Sequence, residues 1–344
     1  MRRTTLKDLA KAVQLTEGTV SRALNGYSDI SADTVKRVQE AATRLGYKPN
    51  QAARRLATGV VEAVAYVIPQ NQNTLAEPFV SQLLQGIEDS LSLRGWDLLV
   101  CHARSAEEES EKINKLISSG RIGGVVLSRP FRHDARIKLL QKAKFPFVVH
   151  GRSADSDSYA WYDIDNELAM SEAVNHLVDL GHKRIGFIGA PLYYNFAYMR
   201  LEGYKQALTE NNIDYDESIV ITTEMSDDAG EIAAANLLES TESPTALLCV
   251  SDTQAIGALA AVRSKGLVAG QDISVVGYDG LKIGRHTNPP LTTMSQPLAQ
   301  SGRELGDMLL AIIDGDDPCK LQILKRAELL LRQSDGPLKA TSYH

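Results

Sequence analysis

The sequence predicts two folds in one chain: an all-α head of three short helices, then an α/β body built as two doubly wound parallel-sheet lobes. Three observations carry this. At 344 residues the chain exceeds one ordinary core, since a domain takes roughly 150 residues. The first 60 residues hold 11 Lys/Arg against 5 Asp/Glu and the remainder 26 against 38, so a basic head of net +6 precedes an acidic body of net −12. After Val60, short apolar runs alternate with helix-period segments, and the alternation restarts near Ile185.

Hydrophobic residues at 43 % and charged residues at 23 % match a water-soluble globular protein and exclude a mainly disordered chain. Apolar stretches such as 145–149 fall far short of the ~20 residues a membrane helix needs, so no membrane is expected as a partner. Met1-Arg2-Arg3-Thr4-Thr5 leads into a charge-dotted segment rather than the unbroken apolar core of a signal peptide, which points to the cytoplasm. Cys101, Cys249 and Cys319 lie far apart with no CxxC pair, so reduced thiols are expected. The whole-chain charge of −6 hides the local excess on the head.

Thr5-Leu6-Lys7-Asp8 reads as a capping box, in which the Thr5 hydroxyl accepts an early backbone N–H and Asp8 reaches back to the helix start. Leu6, Leu9, Ala10 and Val13 then keep the i, i+3, i+4, i+7 spacing of one buried face. Thr16 offers the next N-cap, and a second helix runs from Glu17 to about Leu24, burying Val20 and Leu24, with Asn25-Gly26 as its exit. Ser31 caps a third helix that turns Val35, Val38, Ala42 and Leu45 to the core and stops at Gly46. Two short helices and a supporting third form a helix-turn-helix unit, a pattern shared by DNA-binding and protein-docking modules.

The strings Leu6-Lys7-Asp8-Leu9-Ala10, Thr19-Val20-Ser21-Arg22-Ala23-Leu24-Asn25, Leu45-Gly46-Tyr47-Lys48-Pro49-Asn50 and Ala53-Arg54-Arg55-Leu56-Ala57 together resemble the head of the lactose and galactose repressor family of bacterial transcription regulators. The resemblance implies that residues 1–48 form the DNA-binding domain, with the second helix in the major groove of double-stranded operator DNA. Arg22 would donate two parallel bonds to a guanine and Glu17 would accept from a cytosine amino group, while Gly18 has no side chain to read with. Thr5, Thr16, Thr19, Ser21 and Asn25 are implied as further contacts. Residues 49–60 correspond to a hinge that folds on DNA, where Asn50, Ala53 and Arg54 meet the duplex and Leu56 wedges into a minor-groove step. One departure lies in the turn. Gln14 stands where the family usually places glycine, and must take positive φ at a cost of about 1 kcal/mol or use another turn.

Residues 61–344 form the body. Strands are expected at 63–68, 98–101, 124–127 and 147–149, with helices at 80–93 and 107–118 between them. The second lobe offers strands at 185–188, 219–222, 246–250 and 273–276 and helices at 166–180, 199–210, 227–239 and 253–265, with a last strand at 329–333. The N-lobe is taken as about 61–162 and 292–324, the C-lobe as about 163–291 and 325–344.

Open parallel sheets bind ligands beyond the carboxyl ends of their strands, and two lobes add a cleft that closes like a hinge. No GxGxxG or GxxxxGK[ST] follows a strand, which disfavours a dinucleotide or nucleoside-triphosphate site. Gly181-His182-Lys183-Arg184-Ile185, Arg200-Leu201-Glu202-Gly203-Tyr204, Ser251-Asp252-Thr253-Gln254-Ala255-Ile256-Gly257 and Val275-Val276-Gly277-Tyr278-Asp279 resemble the effector domain of the same family, itself similar to periplasmic sugar-binding proteins. The likeness puts Arg200 and Asp279 in the cleft, where a guanidinium fork and a carboxylate hold vicinal hydroxyls. Phe79 is the candidate face for a sugar ring, followed by Tyr193, Phe196 and Trp161, and Arg152 reaches the cleft from a strand end. At the family's usual Asn-Asp pair the chain has Ser251-Asp252, which leaves Asp252 as the contact.

Seven histidines show no zinc spacing and no GxSxG marks a nucleophile, so no metal, cofactor or catalysis is expected. The expected function is a repressor of carbohydrate-utilisation genes that binds a palindromic operator as a homodimer and is released by a small sugar in the cleft. Its place is the cytoplasm and, when bound to DNA, the nucleoid. The rivals are a sugar solute-binding protein or a sugar-processing enzyme of similar two-lobed fold and, within the family, a purine-type regulator that requires a co-repressor.

Overall fold

A computed structural model describes residues 4–24, 27, 29–47, 61–68 and 77–338. Asn25 and the expected hinge residues Asn50, Ala53, Arg54 and Leu56 lie outside the described residues. The chain divides into two units, residues 1–61 and 62–344.

In the first unit α1 (Leu6–Val13), α2 (Glu17–Leu24) and α3 (Ala32–Leu45) pack around Leu9, Val20 and Val38, all without solvent exposure. The Thr5 capping box forms, with Asp8 N–H on the Thr5 hydroxyl at 3.3 Å and Thr5 N–H on the Asp8 carboxylate at 2.9 Å. Thr19 N–H donates to the Thr16 hydroxyl at 3.1 Å in the first turn of α2. Gln14 caps α1 in the left-handed region at φ 53° and ψ 43°, so the turn is kept and the side chain bears the strain. Two core positions differ from expectation. Ala23 rather than Leu24 is buried at the end of α2, and Ala41 is buried on α3 while Leu45 is 36 % exposed. Alanines at these contacts let three short helices approach closely, and the longer leucines are pushed toward the rim.

The second unit holds two sheets. The first joins β1 (Ala63–Ile68), β2 (Asp97–His102), β3 (Gly124–Ser128), β4 (Phe147–His150), β5 (Ala160–Ile164) and β11 (Gln322–Lys325) in the spatial order β11-β5-β4-β3-β1-β2, every pair parallel. The second joins β6 (Ile185–Gly189), β7 (Val220–Thr222), β8 (Ala246–Cys249), β9 (Ser274–Asp279), β10 (Thr292–Ser295) and β12 (Glu328–Leu330) in the order β12-β10-β9-β8-β6-β7, parallel except for β12 against β10. Helices α4 (Pro78–Leu93), α5 (Ala106–Ser118), α6 (Ala135–Ala143) and α11 (Leu298–Asp314) serve the first sheet, and α7 (Asn166–Asp179), α8 (Asn195–Glu210), α9 (Asp227–Leu238) and α10 (Asp252–Ser264) the second. Every residue of β1, β3 and β8 is buried, as strands covered on both faces require, which is why they read as unbroken apolar runs.

Strand order reverses between β1 and β3 and again between β6 and β8, and a crevice opens at such points beyond the strand carboxyl ends. The chain passes between lobes after Ile164, after Ser295 and between β11 and β12. The segment 292–295, expected in the N-lobe, instead pairs as β10 with β9 of the C-lobe. Its threonines are buried through hydrogen bonds to Asp252 and Asp335, so no apolar run marks it as a strand. Pattern reading also omits α6, β5, β11 and α11. In α11 the inward face includes Ser301, Gly302 and Gly306, small residues that dilute an apolar stripe although they pack most closely.

Candidate functional site

On the head, Thr5, Thr16, Glu17, Gly18 and Arg22 are exposed, whereas Thr19 and Ser21 are half-buried. Glu17 and Gly18 open α2, where backbone N–H groups and the helix dipole favour a polyanion. The Arg22 guanidinium donates to the Asp29 carboxylate at 2.6 Å across the exit of α2, with both side chains more than half exposed. Asp29 was not marked by any capping or periodicity signal.

In the body, a cavity lies between the lobes at the facing strand ends. Glu77, Phe79, Arg129, His150, Arg152 and Asp163 line it from the N-lobe, Asn166, Phe196, Arg200 and Asp279 from the C-lobe, and Gln296 from a crossing. Of the expected contacts, Phe79, Arg152, Phe196, Arg200 and Asp279 are therefore brought together.

Arg200 comes from the second turn of α8. Its Nε–H donates to Asn166 Oδ1 at 2.8 Å and its Nη1 to the Val250 carbonyl at 2.5 Å, while the guanidinium lies 3.5 Å from the Tyr278 ring centroid and 4.8 Å from that of Phe196. A fixed cation with two aromatic faces results. Asp279 ends β9 at φ 122°, a strained position for a side-chain-bearing residue, and its Oδ1 accepts from the Gln296 amide at 2.6 Å. Burial pushes the Asp279 carboxyl up to about 6 against the pull of Arg200. On the opposite wall Arg129 pairs with Glu77 and reaches over the Phe79 ring, 5.2 Å from its centroid. His150 stands edge-on to Phe79 at 5.7 Å, and burial, helped by the charges of Arg129 and Arg200, holds its ring down at about 4, so it is neutral at pH 7. Burial likewise raises Asp163 to about 7 although Arg152 lies beside it.

Three expected contacts are not brought to the cavity. Asp252 is fully buried and turned away: its Oδ2 accepts Leu281 N–H and its Oδ1 the Thr293 hydroxyl, each at 2.6 Å. Trp161 packs with Phe147, Val149 and Tyr159 behind the sheet, its indole N–H on the Ser156 carbonyl at 3.0 Å. Tyr193 is 54 % exposed beside Phe131 in an outer groove. The lining residues that sequence reading missed follow two patterns. Arg129 and His150 sit at the ends of β3 and β4, where the strand-end rule applies. Asp163 and Gln296 belong to β5 and the exit of β10, strands that gave no apolar run.

Among the described residues no helix is long and apolar enough to cross a membrane, and no cluster of three His, Cys, Asp or Glu could hold a metal ion. Residues 5–50 match the family model described as bacterial regulatory proteins, lacI family, and residues 174–334 match a periplasmic binding protein-like domain. The HTH-type transcriptional regulator AglR of Rhizobium meliloti (strain 1021) is 34 % identical over 96 % of this chain and 94 % of its own length. The chain belongs to the lacI family of bacterial regulatory proteins. Two solved structures extend the likeness. One, a transcriptional regulator CelR-cellobiose complex, is 31 % identical with a TM-score of 0.75, covering 96 % of this chain and 100 % of that one. The lac repressor dimer bound to operator and the anti-inducer ONPF is 28 % identical with a TM-score of 0.83, covering 97 % and 100 %. This lacI-family chain is a transcription regulator rather than an enzyme, with a helix-turn-helix head and two lobes of periplasmic-binding-protein type.

Proposed function

We propose that this regulator represses carbohydrate-utilisation genes by binding a palindromic operator as a homodimer, and leaves the operator when a small sugar enters the interlobe cavity. The observation that carries this reading is the cavity lining, in which three guanidinium groups, three carboxylates and two phenyl rings converge from both lobes. Such a set suits a ring with hydroxyls on its rim and C–H bonds on its faces. Phe79 and Phe196 supply the faces, and Arg152, Arg200 and Asp279 the hydroxyl contacts. On the head, Arg22 and Glu17 read base edges, Gly18 admits close approach, and Thr5, Thr16, Thr19 and Ser21 hold the phosphates.

The cellobiose complex and the operator-bound dimer among similar structures support the same reading. The division of labour is a reading head in residues 1–48, a hinge in 49–60 and a two-lobed effector body beyond. A ligand that favours one lobe arrangement shifts operator affinity by the difference between its affinities for the two arrangements, typically about 1–3 kcal/mol. The protein would work in the cytoplasm and, when DNA-bound, on the nucleoid. The test is a gel shift of the full chain on palindromes selected from randomised duplexes, with and without a sugar panel. A retarded band that one sugar abolishes is expected. A band that no sugar weakens counts against the inducer reading, and a band that forms only when a ligand is added marks a co-repressor instead.

A further inference from the structure

The interlobe cavity is closed at its two ends by different means. At one end stand the crossings: Ile164 and Gln296, both lining the cavity, lie where the chain leaves β5 and β10, and β11 and β12 flank those strands. β3 lies two strands from β5 and β6 three strands from β10, roughly 10 and 14 Å at the usual spacing, and the loops that follow β3 and β6 meet there. Arg132 N–H donates to the Tyr193 carbonyl at 2.9 Å and Asn195 N–H to the Pro130 carbonyl at 3.1 Å, an antiparallel bridge that pairs Phe131 with Tyr194. The Asn195 side-chain amide donates to the Arg152 carbonyl at 2.7 Å, and the Phe131 ring stacks on that of Tyr194 at 5.4 Å. Asn195 is the first residue of α8, so its N–H has no partner within the helix and serves the other lobe.

The N-lobe side of this bridge is braced from behind by three buried charges, none of which lines the cavity. The side chains of Arg136, Glu109 and Asp134 are at most 1 % exposed. Arg136 Nη1 donates to Glu109 Oε1 at 2.6 Å, and Nη2 to Asp134 Oδ2 at 2.6 Å and to the carbonyls of Arg129 and Ser128 at 3.3 and 3.4 Å. Asp134 Oδ2 in turn accepts Phe131 N–H at 3.0 Å. One guanidinium thus holds the loop at its start and, through Asp134, at Phe131. Between these points Arg129 sits at φ 48°, a left-handed conformation that a side-chain-bearing residue keeps only under such support. Well-packed apolar side chains would stabilise the N-lobe about as well as a buried ion cluster does, so what the charges add is a fixed loop geometry. A loop tied to one centre moves as a unit, which makes the bridge an element with two states, shut and parted.

We propose that residues 130–132 and 193–195 form a clasp that must part for a ligand to enter or leave the cavity, and that Arg136 is a positioning residue that sets how readily it parts. The gating role rests on the cavity as the effector site. The clasp and its brace stand whether or not the effector is a sugar.

The experiment begins with hydrogen exchange of the full chain without ligand, read by mass spectrometry on fragments that isolate the Arg132 and Asn195 amides. The two should share one protection factor, at least tenfold below that of the β8 amides. Arg136→Lys keeps the buried charge and loses the planar fork, so it should speed both amides at least tenfold and leave β8 unchanged. Protection equal to that of β8 in wild type shows a clasp that opens only on unfolding and overturns the proposal. An Arg136→Lys chain that exchanges like wild type, or one in which β8 speeds up equally, overturns the positioning role. The gate is tested with a disulfide. Phe131 and Tyr194 form the non-hydrogen-bonded pair of the bridge, where Cα atoms stand about 4.5 Å apart, within the span of a disulfide. Phe131→Cys with Tyr194→Cys, in a chain carrying Cys101→Ser and Cys319→Ser, should lock the clasp on oxidation. Uptake of radiolabelled glucose, galactose, cellobiose, maltose, melibiose and raffinose is then timed by rapid filtration. A sugar that binds the reduced chain should enter the oxidised one at least a hundredfold more slowly, and equal uptake by the two forms overturns the gate. Failure of every sugar to bind wild type overturns the sugar reading, while amide exchange still confirms or overturns the clasp.

Discussion

Gly86 of α4 and Gly302 of α11 face each other with no side chain between them. A Cβ on Gly302 would stand 2.2 Å from the Leu83 carbonyl oxygen, and one on Gly86 2.1 Å from that of Ala299. The two helices thus touch backbone to backbone, and α11, which the chain reaches only after building the C-lobe, is fastened to the N-lobe there. Neither backbone can yield by a rotamer change. Gly302→Ala should therefore destabilise the body by about 1–3 kcal/mol, as overpacking of a closed core does. Denaturant unfolding measures this through its midpoint, and an unchanged midpoint would show that the helices slide apart freely.

The Arg22–Asp29 pair makes a prediction about DNA. It is an exposed pair worth at most about 1 kcal/mol, but Asp29 both occupies the guanidinium and brings a negative charge near the phosphates. Asp29→Asn should raise operator affinity by roughly two- to fivefold and steepen its salt dependence. Arg22→Ala should lower affinity chiefly at one base pair of the half-site. A uniform loss across all base substitutions would reduce Arg22 to a phosphate contact.

The head was legible because its signals are local. Thr5, Thr16, Ser31 and Gly46 each act on a backbone group within a few residues, so caps and stops could be read without knowing the tertiary structure. Even the departure at Gln14 resolved to one of its two stated options, positive φ. In the cavity Arg200 and Asp279 were legible from recognisable strings, Arg152 from its place after a strand, and Phe79 and Phe196 as aromatic candidates, whereas Arg129, His150, Asp163 and Gln296 were missed. Asp163 lies on a strand that reads Ala-Trp-Tyr-Asp-Ile, and the burial of that carboxylate depends on Asn166 and Arg152, which the fold brings in from other elements. The strings themselves mix roles. Gly203 and Gly257 are helix-packing positions, with a Cβ 2.3 Å from the Glu167 carbonyl oxygen and 2.0 Å from that of Asp227 respectively.

Stability of the body should depend on pH with a definite sign. Burial raises Asp163 and Asp252 to about 7 and Asp279 to about 6, each above the ordinary 3.8. A carboxyl raised on folding contributes stability fully below its unfolded value and loses it as pH climbs through the folded one. His150 and His182 are lowered by burial from 6.5, so their contribution is present above that value and lost as pH falls below it. Between about pH 6.5 and 8 the carboxyls act alone, and the unfolding temperature of the body should fall as pH rises. Asp163→Asn should flatten that slope. A wild-type temperature that climbs over the same interval would show that these carboxyls are ionised at no cost in the fold.

Asp252 provides the sharpest contrast between a support and the proposed ligand contact Asp279. Its two oxygens hold Leu281 N–H and the Thr293 hydroxyl, and that hydroxyl also accepts Gly280 N–H at 3.3 Å, so one carboxylate fixes the turn that presents Asp279. Removing it strands a buried N–H at about 1–3 kcal/mol and frees a strained residue to relax. Asp252→Ala should then lower stability by about 2–4 kcal/mol and weaken sugar binding indirectly, whereas Asp279→Asn should weaken binding with a much smaller loss of stability. Measuring unfolding midpoint and sugar affinity on both variants separates the roles. If Asp252→Ala keeps the wild-type midpoint yet abolishes binding, the carboxylate must turn into the cavity when sugar arrives, and the turn after β9 is held by its other bonds.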